Sequence, residues 1–143
     1  MKELSGETIL ALPLRLHGIE LGRPVDLLLD RESLRVAGVD VLCGDEVHRF
    51  LPLPTAVVGD DALVIHSPLV LLEKDELGFY LARAFSLKSL RGKAVIRKQH
   101  GVGKLSDIVF AADGTLVAVV LESGERVAYD STLGIAPERR TAA

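Results

Sequence analysis

The chain combines 143 residues with a hydrophobic content of 48% and a mean hydropathy of +0.30, which supports a buried core and excludes a disordered chain. No apolar run reaches the roughly 18 residues that a membrane-spanning helix requires. Glu3 and Glu7 precede a short apolar stretch that Pro13 and Arg15 interrupt, so we expect no signal peptide. The single cysteine, Cys43, excludes an internal disulfide framework and a multi-cysteine zinc site. We therefore expect a cytoplasmic protein without membrane insertion.

The first half of the chain consists of predicted short strands. Apolar residues at every second position between Leu10 and Leu16 predict a half-buried strand that begins at Ile9, and Pro13 places it at a sheet edge or a bulge. Further strands are predicted at residues 24–30, 34–42 and 46–51, followed by a hairpin of 56–58 and 62–65. Asp60-Asp61 lies between the last two strands and is interpreted as a turn rather than a cation site.

A change of pattern follows Ser67-Pro68. Apolar residues between Lys74 and Phe85 follow helical spacing, and the acidic pair Asp75-Glu76 favours a helix start through the helix dipole. Gly78 weakens this helix. We predict one short helix that connects two β-rich halves.

The second half contains the clearest strand–turn–strand unit of the sequence, over residues 102–130. Valine-rich and isoleucine-rich runs are bounded by Asp113-Gly114 and Ser123-Gly124, which favour tight hairpin turns. Asp107 is a poor strand former, so we expect it to lie at an edge or to be held by a backbone N–H or a basic neighbour.

The two halves match each other when the sequence is shifted by 81 positions. The matched pairs include Gly22 with Gly103, Arg23 with Lys104, Asp26 with Asp107, Val36 with Val117, Ala37 with Ala118 and Val39 with Val120. His17-Gly18 matches His100-Gly101 with a slip of two residues. Residue types and turn positions recur together, which indicates an internal duplication.

Three segments of the second half carry a family resemblance: residues 90–95, residues 103–109, and Gly114 with the apolar run 116–121. They resemble a repeat of the PRC-barrel family, the β-barrel named for the H subunit of photosynthetic reaction centres. The same barrel forms the C-terminal half of a bacterial ribosome maturation factor. Residues 14–65 resemble a second copy through residues 22–30 and 36–42. The resemblance implies adaptor modules without known catalytic residues.

These observations predict a mainly β protein with two tandem small PRC-barrel-like repeats packed together and one short connecting helix. The predicted boundaries are 8–67 for the first repeat, 68–87 for the linker with the helix, 88–135 for the second repeat and 136–143 for a loose tail. The second repeat has little to match the hairpin at 56–65, so its last strand is either missing or replaced by 131–135. A borrowed strand such as 9–16 is one way to close it.

Charge is distributed unevenly along the chain. Residues 1–70 carry six Lys/Arg and eleven Asp/Glu, whereas residues 71–143 carry eleven and nine. Seven basic residues lie between positions 83 and 104 without an intervening acid. Within this segment we assign five partner-binding candidates: Arg91, Lys93, Arg97, Lys98 and Lys104. The alternative is a solvated face, or ion pairs with the acidic first half.

No catalytic, cofactor or metal pattern is recognisable in the sequence. The four histidines lack HxxH spacing, although His17 and His100 would approach each other if the repeats packed symmetrically. Gly101-Val102-Gly103-Lys104 lacks the first glycine and the final Ser/Thr of a phosphate-binding loop. Cys43 has a potential base in His48, but no oxyanion-stabilising group is evident.

We therefore expect a non-enzymatic protein-protein interaction module without a cofactor. The first alternative is a ribosome- or RNA-associated maturation factor, since the same basic segment would bind RNA. The second alternative is a small-ligand binder or enzyme with its site between the repeats. A homodimer is also compatible with an incomplete barrel edge.

Overall fold

The computed structural model describes residues 3–135, apart from the side chain of Lys74, and the predicted tail at 136–143 lies outside them. In chain order, the strands are β1 (Glu3–Ser5), β2 (Leu14–Leu16), β3 (Ile19–Asp30), β4 (Val36–Cys43), β5 (His48–Pro52), β6 (Val57–Val58), β7 (Leu63–Ile65), β8 (Ala84–Ser86), β9 (Ala94–Arg97), β10 (His100–Ala111), β11 (Leu116–Leu121), β12 (Arg126–Ala128) and β13 (Leu133–Ile135). The α-helices are α1 (Gly6–Leu10), α2 (Lys74–Arg83) and α3 (Leu87–Leu90). Leu53–Thr55 and Pro68–Val70 form 3₁₀ turns.

The strands form two sheets, so the mainly β prediction is confirmed. The first sheet has the order β5-β4-β3-β2-β7-β6, with β8 also paired to β3. The second has the order β12-β11-β10-β9-β13, with β1 also paired to β10. Backbone pairing within residues 3–135 closes neither sheet, whereas the sequence predicts two barrels.

The two halves of the chain exchange a strand. Strand β1 from the N-terminus pairs with β10 of the second sheet, placing Leu4 opposite Phe110. Strand β8 pairs with β3 of the first sheet, placing Phe85 opposite Leu29. Phe85 follows Leu4 by 81 positions, and Phe110 follows Leu29 by 81 positions. This is the offset found in the sequence. The exchange is therefore reciprocal.

Two aspartates accept hydrogen bonds from the exchanged segments. Oδ2 of Asp107 in β10 accepts the backbone N–H of Glu7 in α1 at 3.1 Å. Oδ1 of Asp26 in β3 accepts the backbone N–H of Lys88 in α3 at 3.1 Å. Each carboxylate thus caps the short helix that follows a strand contributed by the other half. The expectation that a backbone N–H holds Asp107 is confirmed.

The predicted strand at Ile9–Leu16 is wrong in its first part. Residues 6–10 form helix α1, and β2 begins only at Leu14. The Ser5 side chain accepts the N–H of Thr8 at the start of α1, as Ser86 does for Ser89 at the start of α3. Helix α2 lies where the sequence predicts the connecting helix, but the described residues contain two further helices of a single turn each. These short helices depend on caps and on contacts from the opposite sheet, which sequence periodicity does not record.

One of the two segments considered from the sequence for completing the second half is confirmed, and the other is wrong. Strand β13 pairs with β9, so residues 133–135 supply the last strand in place of the hairpin at 56–65. The strand borrowed from the N-terminus is Glu3–Ser5 rather than 9–16. In the first half, the predicted hairpin at 56–65 is present as β6 and β7.

Strands β4 and β11 correspond at an offset of 80 positions rather than 81. Leu27 pairs with Val39 in the first sheet, and Ile108 pairs with Val119 in the second. The structural match of Val39 is therefore Val119 and not Val120, because the turn after β10 has one residue fewer than the turn after β3. The matching of His17-Gly18 with His100-Gly101 is also wrong. The equivalent turn is Lys98-Gln99, which has similar positive φ angles.

One hydrophobic core joins the two sheets. Its members include residues from both halves with no exposed surface, such as Ile9, Leu27, Leu87 and Ile108. The turn after β10 also reaches the first sheet, since the backbone N–H of Val36 donates to the Gly114 carbonyl at 2.8 Å. The halves consequently share one interior.

We expect Asp107→Ala to lower the free energy of unfolding by about 1–3 kcal/mol, because it removes a largely buried carboxylate that accepts the backbone N–H groups of Glu7 and Ile108. Asp107 is 7% exposed. Asp26→Ala should cost less, since Asp26 is partly exposed and water can replace its carboxylate. Urea unfolding of each variant measures the difference.

Asp60→Ala is the control, because Asp60 is an exposed turn residue. Equal unfolding midpoints for Asp107→Ala and Asp60→Ala would contradict a role for Asp107 in holding the two halves together.

Candidate functional site

The five predicted partner-binding residues lie on one hairpin and the turn before it. Arg91 follows α3, Lys93 precedes β9, Arg97 and Lys98 lie at the end of β9, and Lys104 lies in β10 opposite Ala94. We call these five residues the basic hairpin. The five residues were selected because they are close in the sequence, and they also lie in one region of the folded chain.

Lys98 and Lys104 project outward from the basic hairpin. Leu105 is completely buried, and successive residues of a strand face opposite sides of the sheet. The side chain of Lys104, the preceding residue, therefore points away from the core. Lys98 occupies the turn between β9 and β10 with φ of 48° and is exposed. These ammonium groups are accessible to a partner.

Arg97 instead braces the second sheet from within the chain. Its Nη2 donates to the Ala128 carbonyl at 2.6 Å and lies 3.5 Å from Oδ2 of Asp130. This side chain connects β9 to β12, two strands that backbone pairing leaves apart. Arg91 is also held internally, because its Nε donates to the Ser106 carbonyl at 3.0 Å.

A second surface, which sequence reasoning missed, lies on the outer face of the first sheet. Helix α2 packs there through Leu77 against Leu28 and Phe50, and Tyr80 stacks on Phe50 with ring centroids 4.3 Å apart. The helix covers only part of this face. Beside it remains a groove of about 630 Å³ between α2 and the β4–β5 hairpin.

The groove has apolar walls and an acidic rim. Its lining residues are Asp40, Glu46, Val47, His48, Leu77, Gly78 and Leu81, and we call this set the α2 groove. Val47 is 36% exposed and Leu81 is 44% exposed, which is unusual for large apolar side chains so close together. Nδ1 of His48 lies 2.8 Å from Oδ1 of Asp40, which fixes both side chains at the rim.

Gly78 widens the groove without any requirement of the fold. Its φ is not positive, and a Cβ placed on it would meet no atom within 4 Å. A glycine in the middle of a helix costs stability because it increases the backbone freedom of the unfolded chain. Leu77, Gly78 and Leu81 lie at positions i, i+1 and i+4 of the predicted helix, and this spacing is the sequence signal that could have indicated the surface.

The proposed pairing of Cys43 with His48 is not supported by the geometry. Cys43 belongs to the core side of β4, whereas His48 is exposed opposite Leu42 and bonds to Asp40. Among residues 3–135, no three His, Cys, Asp or Glu side chains are grouped so that they could hold a metal ion. His17 is matched by Lys98 in the fold, so the symmetric His17–His100 arrangement lacks its basis.

A cleft near Cys43 is built around an ion-pair cluster. The Arg49 guanidinium contacts Asp45 at 2.9 Å and Glu73 at 3.2 Å. The hydrogen bond from Arg49 holds the pKa of Asp45 below its usual range, and the same bond raises the pKa of Arg49. These ion pairs connect the start of α2 to the β4–β5 hairpin.

The boundary between the sheets offers a surface cleft rather than an internal site. The cleft has a volume of about 330 Å³ and lies beside β1 and β12, where Arg126 and Glu3 form an ion pair at 2.9 Å. Behind it, side chains such as Leu27 and Ile108 fill the interior. A small-molecule site between the repeats receives no support from this packing.

No protein-family model matches the sequence, and it has no significant match among curated proteins. Within the described residues, no helix has the length and apolar character needed to cross a lipid bilayer.

We expect Gly78→Ala to raise the free energy of unfolding by about 0.5–1 kcal/mol, since alanine is favoured over glycine in a helix and meets no steric barrier here. Thermal and urea unfolding measure the gain.

Gly114→Ala is the contrasting variant, because Gly114 has φ of 93° and its Cβ would collide with the Val36 carbonyl. We expect it to destabilise the protein. A loss of stability in Gly78→Ala would show that Gly78 has a structural role.

We also expect the stabilising effect of Asp130 to disappear in acid. Hydrogen bonds from Thr132, together with the positive charges of Arg97 and Lys98, hold the pKa of Asp130 below its usual range. A carboxyl with a lowered folded-state pKa stabilises the fold above its unfolded pKa, and this contribution is lost as the pH falls through the folded pKa. The difference in urea midpoint between the wild type and Asp130→Asn should therefore shrink between about pH 7 and about pH 2. A constant difference would contradict this linkage.

Proposed function

We propose that the chain is a non-enzymatic protein-interaction module, built from two PRC-barrel-like repeats, that binds an acidic protein surface through the basic hairpin. The observation that carries the proposal is the outward projection of Lys98 and Lys104 from the β9–β10 hairpin beside a filled core. Such an arrangement presents positive charge for partner recognition without an internal ligand site.

The repeat assignment rests on the reciprocal strand exchange. Two strands, two one-turn helices and two capping aspartates recur at the same offset of 81 positions. The segments that resemble PRC-barrel repeats, 22–30 and 103–109, are the long strands that receive the exchanged strands. This correspondence supports a duplicated unit of that type, with open sheets in place of closed barrels.

The charge balance of the basic hairpin supports an acidic partner. Asp130 lies beside Arg97 and lowers the charge at that end, whereas no acidic residue lies between the seven basic residues from position 83 to 104 in the sequence. Arg97 and Arg91 also have internal partners, so they act mainly in holding the hairpin. The contact with a partner is accordingly assigned to Lys98 and Lys104, with Lys93 half-buried beside them.

RNA is the second candidate ligand, because it would be attracted by the same lysines. The aromatic content of 4% provides few side chains for base stacking, so binding of this kind would depend on phosphate contacts and salt.

We expect the double variant Lys98→Glu/Lys104→Glu to lose its protein partners by about tenfold or more in affinity capture from lysate, because like charges repel. Captured proteins are quantified by mass spectrometry with and without nuclease. Partners that resist nuclease and disappear with the double variant are the expected result.

Arg23→Glu is the matched control, since Arg23 precedes Lys104 by 81 positions, lies in the corresponding strand and is 62% exposed at its side chain. It should retain the partners. Equal capture by all three proteins would remove the basic hairpin as the binding surface. Loss of all partners on nuclease treatment would replace the proposal with RNA binding.

A further inference from the structure

We propose that the α2 groove binds a basic amphipathic helix of a partner protein. This is a second interaction surface, on the opposite half of the chain from the basic hairpin and with the opposite charge. It does not depend on the function assigned to the basic hairpin.

The walls of the groove favour an apolar ligand face. Val47 and Leu81 leave a large part of their surface exposed across a space of about 630 Å³, which is the size of a pocket for one or two large side chains and their neighbours. Gly78 lies on α2 three residues before Leu81 and leaves room for close approach of a partner's backbone or a bulky side chain.

The rim of the groove favours basic residues beside that apolar face. Asp40 and Glu46 are the acidic residues that line it, and the first turn of α2 adds the exposed acids Asp75 and Glu76 on the adjoining helix. Glu46 and the two acids of α2 are exposed to solvent. Lysine or arginine residues flanking apolar anchors would complement this pattern.

The edge of the adjacent sheet favours a helix over an added strand. Phe50 in edge strand β5 already exchanges both backbone hydrogen bonds with Leu72, at 3.0 and 2.8 Å. Pro52 at the end of β5 lacks an N–H. An incoming strand would therefore find few free backbone groups, whereas a helix can bind through its side chains alone.

The test uses a fluorescent synthetic helical peptide with leucines at i, i+3, i+4 and i+7 and lysines on its other positions. We expect it to bind the full chain and to shift the amide NMR signals of Val47, His48, Gly78 and Leu81. A scrambled peptide of the same composition, and a peptide with glutamate in place of lysine, should bind at least about tenfold more weakly.

Gly78→Leu fills the groove and should weaken peptide binding by at least about tenfold. Its matched control is Gly134→Leu, since Gly134 is likewise exposed, without positive φ and with open space at its Cβ. Val47→Ala/Leu81→Ala provides a second test by removing the apolar walls. Asp40→Asn/Glu46→Gln should reduce the salt dependence of binding.

Equal peptide affinity in the wild type and Gly78→Leu, or signal shifts confined to the basic hairpin, would overturn the proposal. It would also be overturned if the wild type formed a dimer that Leu81→Asp dissolved, because a second copy would then occupy the groove. Lys98→Glu/Lys104→Glu should bind the peptide as the wild type does. The proposals for the two surfaces can therefore be contradicted independently of each other.

Discussion

The fold depends on a reciprocal exchange between its two halves. Strand β1 completes the second sheet and strand β8 completes the first, and an aspartate from each receiving strand caps the helix that follows. A half of about seventy residues has little capacity to bury its own surface. Because each half supplies a strand and a helix to the other, the apolar faces of both sheets can close over one core.

This arrangement determines where function can reside. The space between the sheets is occupied by side chains that hold the halves together, such as Ile9 and Leu87. The two surfaces that we propose for partners, the basic hairpin and the α2 groove, therefore lie on the outside of the molecule. The two surfaces differ in charge and in apolar character, so one molecule could bind two partners of different chemistry and bring them together.

Arg97 shows that a basic residue in the predicted binding segment can stabilise the fold instead of facing a partner. Sequence proximity groups it with Lys98 and Lys104, but its guanidinium reaches the Ala128 carbonyl and Asp130. The planar, multidentate guanidinium suits such a bridge between strands, whereas a lysine ammonium at the hairpin turn remains hydrated and exposed. The role of each cation is decided by what lies within reach of its side chain in the folded chain.

The sequence by itself determined most of the strands, helix α2 and the offset of 81 positions between the two halves. Valine-rich runs bounded by Asp-Gly and Ser-Gly define the β10–β11–β12 meander, and helical spacing defines α2, because these patterns reflect short-range backbone and side-chain preferences. The offset of 81 positions also revealed that Asp26 and Asp107 are equivalent. The one-residue difference between the turns after β3 and β10 remained hidden, since valine and alanine match in either alignment.

Only the tertiary structure decided which half receives each strand and which surfaces stay open. The period-two leucines before Leu16 resemble a strand, but residues 6–10 form a helix because Ser5 and Asp107 cap it. Asp107 accepts the backbone N–H of Glu7, which lies 100 positions away in the sequence, and no local pattern connects them. The α2 groove likewise joins residues of a hairpin and a helix that are about thirty positions apart. Such long-range contacts depend on the packing of the whole chain, which local sequence preferences do not encode.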